Sequence, residues 1–91
     1  MLHDCLSLEK IATNVHTLRI NELKIYFSYK TPIAYQRGDK ITVCENVWST
    51  ATGRHLDMID RTTPRTRQEV FLKTLVRALE LYGVDKRIAT I

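Results

Sequence analysis

The sequence is poor in glycine and cysteine, and no long stretch of it is uniformly apolar. Its three glycines stand alone, so it has no glycine-rich phosphate loop, and nucleotide-driven chemistry is not expected. Cys5 and Cys44 form no CxxC or metal-finger spacing, which is typical of reduced thiols rather than of a zinc module or a disulfide scaffold. Charged residues interrupt every apolar cluster, so we expect no membrane-spanning segment. Asp4 stands where a secretory signal carries positive charge, and a cytoplasmic protein is therefore predicted.

Length and composition indicate a single small domain, residues 1–91. A chain of 91 residues is too short for two independent cores, and 44% apolar with 26% charged residues is close to the average of globular proteins. Lys and Arg number 14 against 10 Asp and Glu, which gives a formal net charge of +4 at pH 7. This balance favours polyanionic partners without requiring one.

Alternating apolar and polar residues predict β-strands in the first half of the chain. The first predicted strand runs from Val15 to Ile20, before a turn signal at Asn21-Glu22. The middle strand alternates through residues 23–30 and continues extended through residues 33–35, and the alternation resumes in residues 41–48 after a second turn signal at Arg37-Gly38-Asp39. We therefore predict a three-stranded antiparallel meander. Pro32 falls in its middle strand, at a point where that strand is expected to have become an edge.

The last third of the chain has the apolar spacing of an amphipathic helix. Thr66 and Glu69 match a capping box and Gly83 lies where a helix C′ residue belongs, so the sequence predicts a helix over residues 67–82. This helix is expected to cover one face of the sheet, which makes the fold class α+β. Its expected partners on the sheet are Leu23, Ile25, Phe27, Ile41, Val43 and Val47. A short helical segment is predicted at residues 54–59, whereas a helix and an extended arm fit the N-terminal residues 2–12 equally well.

Three short phrases stand out in the middle of the chain. They are Ser28-Tyr29-x-Thr31-Pro32-x-Ala34, Glu45-Asn46-x-Trp48-Ser49 and Thr52-Gly53-x-His55-Leu56. Together they resemble a family of small uncharacterised proteins and domains of phages and prokaryotes, over roughly residues 20–60. The resemblance implies no activity, ligand or catalytic residue. It implies an origin in phages or mobile elements, whose small domains often act by binding host machinery.

The sheet face away from the C-terminal helix is the first candidate site. In the predicted register this face displays lysines, aromatic rings and small polar residues, namely Lys24, Tyr26, Ser28, Lys30, Lys40, Thr42, Cys44, Asn46 and Trp48. Rings that stack on bases and ammonium groups that contact phosphates are typical of single-strand-binding surfaces. The alternative is that the N-terminal segment, or a second copy in a homodimer, covers this face and that Tyr26 and Trp48 anchor the contact.

An arginine-rich loop before the C-terminal helix is the second candidate site. Arg61, Arg65 and Arg67 alternate with threonines at the approach to a helix N-terminus, where guanidinium and backbone N–H groups suit phosphate. The alternative is a solvated loop whose arginines pair with acids. Three acids lie close to them in the sequence: Asp57, Asp60 and Glu69.

His55 lies in a polar cluster beside Arg54 and is the third candidate. A metal-free ribonuclease can use one histidine as acid or base next to an arginine that stabilises phosphate charge, but no second catalytic group can be assigned here. A structural histidine that satisfies a loop carbonyl is the favoured interpretation. The protein is therefore predicted not to be an enzyme.

Two further features concern metal binding and the strand register. His3, Cys5 and His16 match no structural zinc spacing, so neither a metal nor another cofactor is expected. Glu45 falls on the buried face of its predicted strand. This position indicates a register error, a bulge, or an ion pair with an arginine such as Arg77.

Two functions are predicted from these features. The first is a small, basic, non-enzymatic nucleic-acid-binding module, whose affinity falls steeply with salt. Its expected contact residues are Arg61, Arg65, Arg67, Lys24, Lys30, Lys40, Tyr26, Trp48, Arg54 and His55. The alternative is a phage-type accessory protein that binds and modulates a host protein through an aromatic patch on the open sheet face, with weak salt dependence.

Overall fold

The computed structural model describes residues 6–83, which form an antiparallel sheet and two helices. The strands are β1 (Leu6–Ala12), β2 (Val15–Ile20), β3 (Leu23–Ser28), β4 (Thr31–Arg37) and β5 (Lys40–Val43), and the helices are α1 (Thr50–Ile59) and α2 (Gln68–Leu81). Every strand pairs with the next one along the chain, so the order in the sheet is β1-β2-β3-β4-β5. The fold is α+β, but the predicted three-stranded meander is wrong, because the sheet has five strands.

Two turns without glycine account for the additional strands. Asn14, in the turn between β1 and β2, and Tyr29, in the turn between β3 and β4, adopt left-handed backbone conformations with φ of 62° and 58°. The Tyr29 N–H donates to the Asn14 carbonyl at 2.7 Å, so the two turns are bonded to each other. Tyrosine rarely adopts this conformation, and the alternation on both sides of Tyr29 therefore looks like one continuous strand.

The turns with ordinary sequence signals lie where they were predicted. Ile20 pairs with Leu23 across Asn21-Glu22, and Gly38 provides the positive φ, 64°, of the turn between β4 and β5. The N-terminal region, for which a helix and an extended arm were equal alternatives, contributes β1 to the sheet. Its first residues, 1–5, lie outside the described part.

Pro32 occupies the second position of β4. It lies opposite Phe27, next to an irregularity in the β3–β4 register between Tyr26 and Phe27. The ladder between β4 and β5 includes only the later part of β4, from Ala34 onward. Proline is therefore accommodated because it lies beyond this ladder, where its missing N–H removes no inter-strand bond.

The predicted C-terminal helix is confirmed as α2, and it packs on the predicted face of β3. The cluster beneath it consists of Ile20, Leu23, Ile25, Tyr35, Cys44, Phe71, Leu75, Ala78 and Leu79. The rings of Tyr35 and Phe71 lie 5.7 Å apart between centroids, within the range of favourable aromatic contacts. Gly83 follows the helix with φ of 68°, as expected of a C′ residue.

The shorter helix α1 packs on the opposite face of the sheet. Its Leu56 belongs to a second cluster with Ile33, Ala34 and Val43, against which Tyr26, Ile41 and Ile59 also pack. Ile41 and Val43 were predicted to contact the C-terminal helix, and this assignment is wrong. Thr42 pairs with Tyr35, whose ring lies beneath α2, so the residues on either side of Thr42 face α1. Val47, also predicted beneath α2, lies in the loop after β5 and is exposed.

Gly53 lies inside α1 although glycine weakens helices. A Cβ atom at this position would lie 2.9 Å from Nδ2 of Asn46. The Asn46 side chain orders the loop before α1, because Nδ2 donates to the Ser49 carbonyl and Oδ1 accepts from the Trp48 N–H. The Ser49 hydroxyl then accepts from the Thr52 N–H and caps the helix. Glycine thus leaves room for the loop that starts the helix.

Glu45 links the end of the sheet to the start of α2. Its Oε2 accepts a hydrogen bond from the Gln68 N–H at 2.9 Å, and its own N–H donates to the Thr66 carbonyl at 2.8 Å. The N-cap residue is Arg67, whose side chain makes no capping bond, so the predicted capping box of Thr66 and Glu69 is wrong. A carboxylate from a distant loop instead satisfies a free N–H group and the positive end of the helix dipole.

Candidate nucleic-acid interface

The sheet face opposite α2 is not the open platform that was predicted, because α1 covers part of it. Tyr26 packs against the Leu56 cluster, and Nζ of Lys24 lies 5.2 Å from the centre of its ring, a cation–π distance. Trp48 belongs to the loop before α1 rather than to β5, and its side chain is 36% exposed. Of the predicted rings and lysines, only Lys24 and Tyr26 share this face.

The other two lysines lie elsewhere on the sheet. Lys30 is exposed in the turn between β3 and β4, whereas Lys40 is exposed at the start of β5. Lys40 pairs with Arg37, which in turn pairs with Leu23 on the α2 face. Lys24 follows Leu23 in β3, so Lys24 and Lys40 lie on opposite faces of the sheet.

Two of the three loop arginines are bonded to acidic residues or to the backbone. Arg65 donates from Nη1 to the Asp60 carbonyl at 2.8 Å and from Nη2 to Oδ1 of Asp57 at 3.2 Å. Arg67 forms an ion pair with Glu69, and both of these side chains are largely exposed. These contacts partly occupy the guanidinium groups that were predicted to bind phosphate.

Two threonines of the same loop, Thr62 and Thr63, are also engaged. The Asp60 carboxylate accepts hydrogen bonds from the backbone and hydroxyl groups of Thr62 and Thr63, and the bonds from Thr63 lower the pKa of Asp60 most, to about 2. Arg61 is exposed and has no ion pair with any residue in the described range. Of the three arginines, Arg61 is therefore the most available for a ligand.

His55 belongs to a polar cluster that attaches α1 to the end of β3. We call Ser28, Ser49, Thr52 and His55 the anchor cluster. The Ser28 hydroxyl lies 2.6 Å from Nδ1 of His55 and 3.2 Å from the Thr52 hydroxyl, which is 3.3 Å from that of Ser49. The ring of Tyr29 lies 5.8 Å from the imidazole. His55 thus has a hydroxyl partner rather than the predicted loop carbonyl, and Ser28 is only 2% exposed.

Arg54 lies in a shallow groove of about 460 Å³ between α1 and the loops that flank it. Arg65 and Asp57 line the same groove. The structure therefore brings two of the predicted phosphate-binding arginines together, although Asp57 already bonds to Arg65.

Two pairs of cations stand directly opposite each other across the sheet. Arg19 on β2 faces Lys24 on β3, and Arg37 on β4 faces Lys40 on β5. We call them the β2–β3 pair and the hairpin pair. Neither pair makes a salt bridge with an acid among residues 6–83. Directly opposed like charges destabilise a sheet, typically by a few tenths of a kcal/mol up to about 1 kcal/mol.

The hairpin pair lines a groove of about 550 Å³ between the β4–β5 hairpin and α2, which we call the hairpin groove. Thr42 and Thr66 contribute hydroxyls to its wall, Val70 contributes an apolar surface, and Glu22 contributes one acid. Sequence reasoning included Lys40 but missed Arg37 and the groove. The available signal was the position of two cations on either side of the two-residue turn Gly38-Asp39, which forces them to be cross-strand neighbours.

The described residues contain few groups suited to other chemistry. Among residues 6–83, no three His, Cys, Asp or Glu side chains lie close enough to share a metal ion, and neither helix is long and apolar enough to cross a membrane. Cys44 is buried, and burial together with the nearby Glu45 charge raises the pKa of its thiol to about 11. His3 and Cys5 lie outside the described part of the chain.

The model of a protein family of unknown function, DUF8033, matches residues 6–73. The chain belongs to the DUF8033 family. No curated protein and no solved structure matches it. The predicted membership of an uncharacterised family is thus confirmed, over a longer stretch than the resemblance suggested, whereas a phage or prokaryotic origin stays a prediction.

The matched region of this DUF8033 chain contains the whole sheet, α1 and the first turns of α2. It includes the anchor cluster, Glu45, both cation pairs and the lining of the hairpin groove except Thr74. The three phrases that carry the resemblance have structural roles in it, since their residues start and attach α1 and cap α2.

Proposed function

We propose that this protein is a small, non-enzymatic, cytoplasmic nucleic-acid-binding module that contacts the phosphate backbone. The proposal is supported by two pairs of cations on the sheet, Arg19 with Lys24 and Arg37 with Lys40. Within each pair the two cations lie directly opposite each other, and neither pair has an acidic partner among the described residues. Such pairs reduce the stability of the free protein, and a polyanion bound between the charges relieves the repulsion.

The arginine loop has a smaller role in this proposal than the sequence predicted. Arg65 and Arg67 would have to exchange existing bonds with acids for bonds with phosphate, whereas Arg61 would not. In addition, the Glu45 carboxylate occupies the N-terminus of α2, where a phosphate was expected. We therefore assign the main phosphate contacts to the sheet and an auxiliary contact to Arg61.

A non-enzymatic role is favoured by the surroundings of His55. Its Nδ1 is bonded to Ser28, whose hydroxyl is buried, and no carboxylate of residues 6–83 bonds to the imidazole. This arrangement stabilises the contact between α1 and the sheet. RNA cleavage by the wild-type protein that is lost in His55→Ala without unfolding would contradict the proposal.

The proposal is tested by fluorescence anisotropy with labelled single-stranded and duplex DNA and RNA over a salt series. The Arg19→Ala/Lys24→Ala and Arg37→Ala/Lys40→Ala proteins are compared with wild type and with the triple Arg61, Arg65 and Arg67 to Ala protein. We expect a steep salt dependence in wild type, and each double substitution should reduce the slope by more than about 1 unit. Absence of binding at low salt, or a larger effect of the triple substitution, would contradict the assignment of the contacts.

A second candidate function is supported by the loop before α1. Val47 and Trp48 are adjacent and are 47% and 36% exposed, so this loop offers an apolar contact to another protein. In this alternative the protein is a phage-type accessory factor that binds a host protein. It predicts binding that depends only weakly on salt and that Trp48→Ala weakens at least about tenfold.

A further inference from the structure

The hairpin groove combines unpaired cations with free hydroxyls around one recess. Arg37 and Lys40 are exposed and make no salt bridge within the described residues. The hydroxyls of Thr42 and Thr66 likewise make no hydrogen bond there, while both side chains line the groove. Two cations and two free O–H donors around one recess match the acceptor oxygens of phosphate groups.

The hairpin that carries the two cations is well ordered. The side chain of Gln36 donates to the Gly38 carbonyl at 3.1 Å, and the Gly38 N–H donates to the Glu22 carbonyl at 3.2 Å. The first bond lies within the β4–β5 hairpin, and the second joins its turn to the β2–β3 turn. The cations are therefore held at the groove by the backbone of two neighbouring turns, which lowers the entropic cost of binding.

The shape and lining of the groove favour one flexible strand. Its volume of about 550 Å³ is typical of small-ligand sites, and α2 forms one of its walls. A single strand can bend into a recess between a hairpin and a helix, and a positively charged groove that follows the backbone is typical of single-strand-binding proteins. Val70, which is 44% exposed, offers an apolar contact for a sugar or base.

We propose that the hairpin groove binds the phosphodiester backbone of single-stranded nucleic acid, with Arg37 and Lys40 contacting phosphates and Thr42 and Thr66 donating to their oxygens. This proposal rests on the nucleic-acid-binding function and specifies its site and substrate. The nearest aromatic ring in the groove, Tyr35, is only 8% exposed and cannot stack on a base. Recognition is therefore independent of base sequence and strongly dependent on salt.

Titrations with labelled oligonucleotides of about ten nucleotides test this site. The Arg37→Ala/Lys40→Ala protein should bind single strands at least about tenfold more weakly than wild type. The matched control is Lys73→Ala/Arg77→Ala, which removes the same charge from α2 positions that do not line the groove and should weaken binding no more than about threefold. Because Arg37→Ala/Lys40→Ala removes a repulsive pair, it should not lower the free energy of unfolding. Urea unfolding of this protein and of wild type tests this expectation.

Glu22→Gln tests the same site by a gain of binding. Glu22 is the acid in the groove, so its neutralisation should strengthen single-strand binding about two- to fivefold. Glu9→Gln is the matched control, because it changes the net charge equally on β1, at the other edge of the sheet. An unchanged affinity in Glu22→Gln, or an equal gain in both proteins, would count against the groove.

The remaining outcomes separate the groove from the general function. Equal losses of affinity in Arg37→Ala/Lys40→Ala and in Lys73→Ala/Arg77→Ala would overturn the groove as the binding site and leave the proposal of nucleic-acid binding intact. Tighter binding of duplexes than of single strands would overturn the single-strand assignment. Polyglutamate and inorganic phosphate should displace the labelled strand less effectively than an unlabelled oligonucleotide at the same concentration of charge. Equal displacement would refute a site specific for the phosphodiester backbone. No binding by wild type would refute both proposals. Parallel DNA and RNA titrations show which strand is preferred.

Discussion

Removal of the Ser28 hydroxyl tests the structural role of the anchor cluster. Ser28→Ala deletes one hydrogen bond to His55 at 2.6 Å and one to Thr52 at 3.2 Å, while the change in volume is small. The Thr52 hydroxyl retains Ser49 as a partner, whereas Nδ1 of His55 loses the one partner it has among the described residues. The variant therefore breaks the direct connection between β3 and α1 without creating a large cavity.

The expected loss of stability follows from these two bonds. A typical intramolecular hydrogen bond contributes about 1 kcal/mol net, and a buried group left without a partner costs about 1–3 kcal/mol. Ser28 is buried, but His55 is only partly buried and its imidazole can bond to water. The cost of leaving the imidazole without a partner is therefore taken from the lower end of that range. Ser28→Ala should therefore reduce the free energy of unfolding by about 2 kcal/mol.

Urea unfolding followed by circular dichroism measures this loss. Thr50→Ala is the matched control, because Thr50 is an exposed hydroxyl residue at the start of α1 and its replacement should change stability by less than about 0.5 kcal/mol. A double-mutant cycle with His55→Ala should give a coupling energy of about 1 kcal/mol. A loss below about 0.5 kcal/mol in Ser28→Ala, or no coupling, would refute the anchor role.

Three further predictions concern other parts of the fold. The pKa of Asp60 is lowered from 3.8 to about 2, so its ionised form stabilises the folded state above pH 3.8. The stability advantage of wild type over Asp60→Asn should disappear as the pH falls from 3.8 towards 2, and unchanged differences in urea unfolding across that window would contradict it. In a Cys5→Ser background, Cys44 should react with Ellman's reagent at pH 8 at least about 100-fold more slowly when folded than in urea. Gly53→Ala should destabilise wild type but stabilise an Asn46→Ala protein by up to about 1 kcal/mol, because only Asn46 occupies the space of the new methyl group. The same sign of the effect in both backgrounds would contradict this.

The elements that the sequence predicted correctly depend on local signals. α2 has an amphipathic spacing with glycine at its end, and the Asn21-Glu22 turn lies between two alternating segments. The turn at Tyr29 could not be predicted in this way, because a tyrosine with positive φ is set by its bond to Asn14 rather than by its own preference. The wrong face of β5 has a different cause, because the predicted turn included Arg37, whereas Arg37 pairs with Lys40 across the two-residue turn Gly38-Asp39.

The sequence indicates which types of residue could bind a ligand, but not which of them are available in the folded protein. Arginines and lysines are visible in the sequence, yet their availability depends on acids that become neighbours only through folding, as Asp57 does for Arg65. Glu45 shows the same limit, because its role as a cap of α2 requires a contact across 23 positions of the chain. Both cation pairs could have been recognised from local sequence, because each flanks a two-residue turn that the sequence signals.

The sequential order of the strands has a consequence for synthesis on the ribosome. Each strand pairs with the one made just before it, so the sheet can grow hairpin by hairpin as the chain emerges. The helix that covers Leu23, Ile25 and Tyr35 follows all five strands in the chain. A nascent sheet therefore presents an uncovered apolar surface until α2 has left the exit tunnel, and slow translation of this last part would prolong its exposure to aggregation or to chaperones.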